Sequence, residues 1–160
     1  MAERKTYSAW STGLKKMAVD LPAEQVNIVI RKLALEGLKR VVLRSPVGNP
    51  DLWKHKPPPG SGYVGGHFRN NWFIDIKVVE PKTRVKIDAS GSDSMNEMSR
   101  LGPLKSNPFQ AIYIHNSLPY ATRLERGHST QAPLGIVGLT AQELSSIVIQ
   151  LGGYNVSGKY

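Results

Sequence analysis

The stretch "PAEQVNIVIRKLALEGLKRVVL", Pro22 to Leu43, decides how the rest of the chain must be arranged. Val26, Val29 with Ile30, Leu33, Gly37 and Val41 recur at a spacing of about 3.6 residues, while Gln25, Arg31, Lys32, Lys39 and Arg40 lie off that stripe. This is the pattern of a helix with one buried face. Pro22 stands where a first turn tolerates proline, and "RSPVGNP" from Arg44 ends the helix. A helix of some 20 residues is about 30 Å long, enough to cross a small domain, so it is the expected spine of the fold. Before it, residues 7 to 19, "YSAWSTGLKKMAV", read as a short helix interrupted at Gly13.

Downstream the pattern changes twice. From Pro46 to Phe68 proline and glycine dominate, and no period survives. This is a long loop with Pro57 to Pro59 locally extended, and Trp53 and Tyr63 are expected to pack against something. A period of two follows: in "WFIDIKVVE", Trp72, Ile74, Ile76 and Val78 oppose Phe73, Asp75 and Lys77, and in "RVKIDA" Val85 and Ile87 oppose Arg84 and Lys86. With "EPKT" between them, these runs predict an antiparallel hairpin with one wet face. A second long loop, "SGSDSMNEMSRLGPLKSNPFQ", leads to a third strand, "AIYIHN".

After Pro133, "LGIVGL" reads either as a fourth strand or as the lead into a last helix. In "TAQE", Thr140 and Glu143 have the spacing of a capping box; Leu144, Ile147, Val148 and Leu151 give the apolar stripe, and Gly152-Gly153 stop it. The expectation is an α+β fold. A long N-terminal helix packs on a small antiparallel sheet, with a C-terminal helix and two long loops, 48–66 and 90–110, in a single domain spanning 1–160. No internal repeat is present.

Composition narrows the function. A chain of 160 residues can bury roughly 70% of its unfolded surface without covalent staples. Cysteine is absent, which excludes disulfides, thiolate zinc sites and cysteine nucleophiles, and fits a reducing compartment. No stretch approaches the roughly 20 apolar residues of a membrane span, and "MAERKTYSAW" lacks the apolar core of a signal peptide. A soluble protein made in the cytoplasm is expected. A net charge of +9 and a pI near 9.9 ask for an acidic partner, yet the cations are scattered and form no run of five.

Chemistry concentrates in "IYIHNSLPYATRLERGHSTQAP", Ile112 to Pro133. His115, Ser117, Glu125, His128 and Ser129 supply the residue types of an acyl-transfer site. Adjacent residues such as His128 and Ser129 generally point apart, however, and no nucleophile elbow surrounds either serine. His55, His67, His115 and His128 lack zinc-site spacing. "GSGYVGG" lacks the Lys-Ser/Thr that follows a phosphate-binding loop. No zinc finger, helix-turn-helix or RNA-binding strand pattern appears. Trp72 reads as core, and Arg69, Asn70 and Asn71 as hydrogen-bonding groups that fix the start of its strand. No catalytic residue, cofactor or metal is expected.

Three segments in order, "LRSPV" after the long helix, "GHFRNNW" at the start of a strand, and "IYIHNSLPYATRLERGHSTQAPLGIVGLT", resemble the tailed-bacteriophage neck and tail-completion family, which includes head–tail joining and minor tail protein Z-like members. That family usually shows "SPV-[DW]-TG-x-[FL]-R-x-[NS]-W" followed by "YNN-x-PYA-x-x-LE-x-G-x-S-x-Q-A-P-x-G". The resemblance spans roughly Leu43 to Thr140. It is carried by Ser45, Pro46 and Val47; Phe68, Arg69, Asn70, Asn71 and Trp72; Asn116; Pro119, Tyr120 and Ala121; Leu124, Glu125 and Gly127; Ser129; and Gln131, Ala132 and Pro133. The short link usual after "SPV" is replaced here by the insertion from Gly48 to Gly66.

The resemblance implies a non-enzymatic structural protein of the virion, assembled in the host cytoplasm and placed in the neck, where a ring joins the DNA-filled head to the tail and leaves a channel for the genome. Its implied partners are further copies of itself, six favoured by tail symmetry or twelve where the ring follows connector symmetry. Head-completion or connector proteins, tail terminator or tail tube proteins, and the genome DNA in the channel complete the set; a membrane is not among them. The residues agree with such a role. Asn116 and Pro119 suit a bend, Tyr120 and Leu124 suit packing, Glu125 with Arg123 or Arg126 suits polar contacts, and Gly127 suits a backbone angle closed to other residues. The competing expectation is a stand-alone basic nucleic-acid-binding protein, whose affinity would fall steeply with salt.

Overall fold

The computed structural model describes residues 22–52, 55–56, 58, 60, 65–101 and 111–156. The expected short helix over 7–19, the packing of Trp53 and Tyr63, and the end of the second loop lie outside them. The described elements are α1 (Ala23–Arg44), β1 (Phe73–Ile76), α2 (Ser92–Asn96), β2 (Ile112–His115), α3 (Ala121–Glu125) and α4 (Val137–Val156). Short 3-10 turns occur at Pro50–Leu52, Arg69–Asn71 and Glu97–Arg100. The architecture is α+β, with a long helix against a two-stranded antiparallel sheet, as the sequence predicts.

α1 forms the spine because its apolar stripe has something to cover. Val26, Leu38, Val41 and Val42 are buried, and Leu38, Val41 and Val42 join Phe68, Trp72, Ile74, Leu101, Leu118, Ala132 and Ile136 in one core cluster. Ile112 and Ile114 of β2 pack on its margin. At Gly37 an added methyl would lie 3.1 Å from both Ile114 and Leu144, so the missing side chain is what lets β2 and α4 come close to the same turn of α1. Ionic contacts finish the helix pair: Glu143 of α4 receives Arg40 at 3.0 Å and also Arg44.

The expected hairpin does not form. β1 pairs with β2, with Phe73 opposite His115, Ile74 opposite Ile114, Asp75 opposite Tyr113 and Ile76 opposite Ile112. The strand stops because Lys77 adopts φ 72°, a left-handed conformation that costs a non-glycine residue about 1 kcal/mol. Asp75 holds the turn that follows, accepting from the Glu80 amide at 2.9 Å and from Lys82 Nζ at 2.8 Å. Residues 81–88 then lie over the face expected to be wet. Arg84 sets its guanidinium 3.9 Å from the Phe73 ring centre and bonds to Glu97, so Phe73 and Asp75 are buried. The wet face expected from the period of two is therefore dry, because the chain's own cations cover it, and Ile76 and Val78 of the opposite face are exposed instead.

Two further expectations are corrected. The second loop is helical over its first half: α2 and the turn at Glu97–Arg100 place Leu101 in the core and Met95 and Met98 against it. Five residues are too few to show a helical period in sequence. At the other end, α4 begins at Val137, ahead of Thr140, and runs through Gly152-Gly153 to Val156. "LGIVGL" is therefore the lead into the helix, and the capping box is not used. Thr140 bonds back to the Ile136 carbonyl from inside the first turn, while Glu143 is spent on α1.

Burial alone would raise the Asp75 carboxyl, but hydrogen bonds from Lys82, the Glu80 amide and His115 outweigh it and hold the group well below the usual carboxylate range. A carboxyl lowered in the folded state stabilises the protein above its unfolded value, near 3.9, and this contribution fades as pH falls towards the folded one. Asp75→Asn is therefore expected to lose about 2 kcal/mol at pH 7 in urea denaturation, with the gap to wild type closing below about pH 4. A gap unchanged between pH 7 and pH 3 would contradict this assignment.

Candidate functional site: a polar clasp and its cleft

The C-terminal end of α1 leaves carbonyl groups without helical partners, and the first motif supplies them. Arg69 donates to the Ser45 carbonyl through Nε at 3.0 Å and Nη2 at 2.7 Å, and to the carbonyls of Leu43 and Ala89 at 3.3 and 3.0 Å. A cation suits a helix C-terminus on charge as well as on hydrogen bonding. Burial lowers the Arg69 pKa from its usual value. Ser45, fully buried, donates to the Val41 carbonyl at 2.6 Å and accepts from Trp72 Nε1 at 2.7 Å. Trp72 in turn meets Phe68 edge to face at 5.8 Å.

The two asparagines between Arg69 and Trp72 act on opposite sides. Asn70 Oδ1 accepts from the amides of Asp93 and Ser94, capping α2, while its Nδ2 donates to Asp93 at 2.9 Å. Asn71 Oδ1 accepts from the Arg84 amide at 2.6 Å, and its Nδ2 donates to the carbonyls of His67 and Arg84. The expected role of 69–71 as hydrogen-bonding groups at the start of the strand is what the geometry gives.

The downstream motif closes onto the upstream one. Asn116 donates to the Phe68 carbonyl at 3.0 Å and accepts from the Leu118 amide, forming the expected bend, with Pro119 and Tyr120 in the turn beyond it. Tyr120 packs on Phe68 at 6.0 Å and reaches His67 Nδ1 at 2.9 Å. Gln131 pairs with both backbone groups of Val47, accepting from the amide at 2.9 Å and donating to the carbonyl at 2.8 Å. Ser129 accepts from the Gln131 amide at 3.3 Å, which fixes that side chain's turn; Pro46 and Ala132 are buried beside it.

Glu125 was expected to pair with Arg123 or Arg126. Instead its two oxygens accept from the amides of Ile136, Val137 and Gly138 at 2.8 to 2.9 Å, placing a carboxylate on the amino end of α4. An acid upstream of a helix start caps from a distance as well as a threonine within it, and spacing in sequence does not show which of the two reaches the amides. Gly127 makes this loop possible. Its φ is 79°, and a methyl there would sit 2.3 Å from the Pro133 carbonyl oxygen. Pro133 is thus the far wall of the loop that Glu125 and Gly127 close.

The acyl-transfer candidates separate. Glu125 is engaged with α4, whereas His128 and Ser129 line a cleft of about 680 Å³ bounded by Pro46, Val47, His67, Tyr120 and Gln131. His115 and Ser117 do come together with a third residue that sequence reading did not connect to them. His115 Nδ1 lies 3.2 Å from Ser117 Oγ, and Nε2 lies 2.8 Å from Asp75. The Asp75 carboxylate already serves Lys82 and the Glu80 amide, and neither His115 nor Ser117 lines the large cleft. This row runs diagonally across the strand pair, from Asp75 within β1 to His115 at the end of β2 and Ser117 just beyond it. The signal for it was the lone acid within the apolar run "WFIDI". Among the described residues no group of three His, Cys, Asp or Glu is placed to hold a metal ion, and no helix is long and apolar enough to cross a membrane.

If the clasp carries the fold, Glu125→Ala costs about 2 kcal/mol and Gln131→Ala about 1 kcal/mol in urea denaturation, with Glu125→Gln in between for the first site. Losses below about 0.5 kcal/mol, the usual level for a surface change, would remove the clasp from the account of stability.

Compared with protein-family models, curated proteins and solved structures, the chain finds no match.

Proposed function

We propose that this chain is a structural virion protein of a tailed bacteriophage, forming a ring in the neck that joins the DNA-filled head to the tail. The observation that carries the reading is the ordered pair of motifs, "SPV" with "HFRNNW" and "NSLPYATRLERGHSTQAP", whose side chains bond chiefly to one another and to the helix ends beside them. Such a pair builds a rigid frame, and its polar groups are spent on position. The reading is therefore non-enzymatic. In it the chain pairs with further copies of itself, with the connector side of the head and with the terminator or tube of the tail. The basic excess faces an acidic neighbouring ring or the passing genome, for which scattered cations suffice because attraction to phosphate is independent of base sequence.

Blocking production of the protein during infection and imaging the lysate tests this reading. Filled heads lying apart from finished tails, or tails of irregular length, are the expected result. Normal infectious particles, together with salt-sensitive binding of the isolated chain to short duplex DNA, would replace the neck role by a stand-alone nucleic-acid-binding role.

A further inference from the structure

The segment from Pro81 to Asp88 has the sequence of a strand and, among the described residues, no strand partner. It runs without helix, turn or bend. Its even-numbered residues turn their backbone groups inward: the Arg84 amide and carbonyl are held by Asn71, that carbonyl also meets His67 Nε2 at 2.9 Å, and the Lys86 carbonyl faces Asn70. In an extended chain successive residues face opposite ways, so the amides and carbonyls of Val85 and Ile87 face out. Among the described residues they have no hydrogen-bond partner. Both apolar side chains of the segment reach solvent, to different degrees. Val85 is 92% exposed and Ile87 37%, with Val78 just upstream at 68%.

A second open edge lies on β2. The bond from the Lys77 amide to the Ala111 carbonyl fixes which residues of β2 face β1, namely Ala111, Tyr113 and His115. Ile112 and Ile114 therefore turn their backbone groups away from β1, and among the described residues these too have no partner. The contrast with β1 is direct. On its outer side the amide of Ile74, and that of Trp72 just before the strand, are met by a Glu97 carboxylate oxygen and Ser94 Oγ, leaving Ile76 alone there without a partner among the described residues. Free edges are normally covered or blunted in this way, because each is a template for another chain.

We infer that these two edges are the two halves of one contact between copies of this chain: 84–87 of one copy adds as an antiparallel strand to β2 of the next. The inference rests on the ring reading above and deepens it. Two different patches on every copy make a head-to-tail interface, which closes into a ring where the rotation per subunit allows. The register follows from burial. Val85 opposite Ile114, Lys86 opposite Tyr113 and Ile87 opposite Ile112 set both apolar side chains on the face that Ile112 and Ile114 already present to the core. A parallel alignment would set them on the face of Tyr113 and His115 instead. Strand addition supplies main-chain hydrogen bonds, and the exposed valine and isoleucine supply apolar burial.

The chain has no cysteine, so paired cysteines report the contact cleanly. In the register above Lys86 and Tyr113 are directly opposed, within the Cα separation a disulfide accepts. Under mild oxidation K86C/Y113C gives a ladder of covalent oligomers, while K86C and Y113C alone stay single chains. Val85→Glu leaves the melting temperature unchanged, because the side chain touches little, and lowers the yield of rings in native mass spectrometry about tenfold or more. Rings of K86C/Y113C that assemble in full yet yield no disulfide on oxidation, or rings that form in full with Val85→Glu, overturn the edge pairing and leave the ring reading standing. K86C dimerising by itself overturns it in favour of a twofold contact. A wild-type chain that stays monomeric at high concentration, with normal particles after depletion, removes the ring and the pairing together.

Discussion

A long helix that ends inside a small protein must have its last carbonyls answered. Here Ser45 and Arg69 meet that constraint. The helix delivers Ser45 into the core at zero exposure, where its hydroxyl donates to the Val41 carbonyl and accepts the Trp72 indole proton, and its carbonyl takes two bonds from Arg69. A buried polar group left unpaired costs about 1–3 kcal/mol, so serine, arginine and tryptophan stand or fall as a set. Trp72 immediately precedes β1, so the same set positions the sheet against α1.

With only two short strands described, regular structure leaves many backbone groups without partners, and a two-stranded sheet alone is marginal in water. Side chains take over this work. Asn70 caps α2, Asn71 holds 84, Ser94 and Glu97 meet the amides of Trp72 and Ile74 on the outer side of β1, Gln131 pairs with Val47, and Glu125 caps α4. The residues that looked like chemistry in sequence are mostly these substitutes for a ladder. Hydrogen-bonding versatility makes asparagine, glutamine, serine and glutamate suitable for catalysis and for replacing backbone partners alike, so residue type alone does not separate the two uses.

A frame locked by side chains also sorts the surface. Where a side chain answers a strand amide, that position is finished; where none does among the described residues, as at 85 and 87 and at 112 and 114, the chain offers paired donors and acceptors beside apolar side chains. In the proposed neck role, rigidity and open edges serve one purpose: subunits of fixed shape close at a defined angle only if their contacts are directional. Backbone hydrogen bonds provide that direction, which apolar burial alone does not.

Elements whose period spans many residues could be read from the amino-acid order. α1 was legible from its stripe and its proline, β1 and β2 from alternation, the body of α4 from Leu144 to Val148, and the core place of Trp72 from its phase. The motif residues were legible as a group, as positioning residues. The packed fold settled strand pairing, because "RVKIDA" has the same alternation as a strand whether it lies beside β1 or across it. It also decided who caps α4: a cap needs an acceptor near the amides in space, and Glu125 reaches them over a loop that Gly127 folds back. It joined Asp75 to His115 and Ser117 across two strands, and Gln131 to Val47 across most of the chain. Periodicity records which face of an element avoids water, a local property. Partner choice is a difference between competing long-range contacts, and it exists only once the chain has closed on itself.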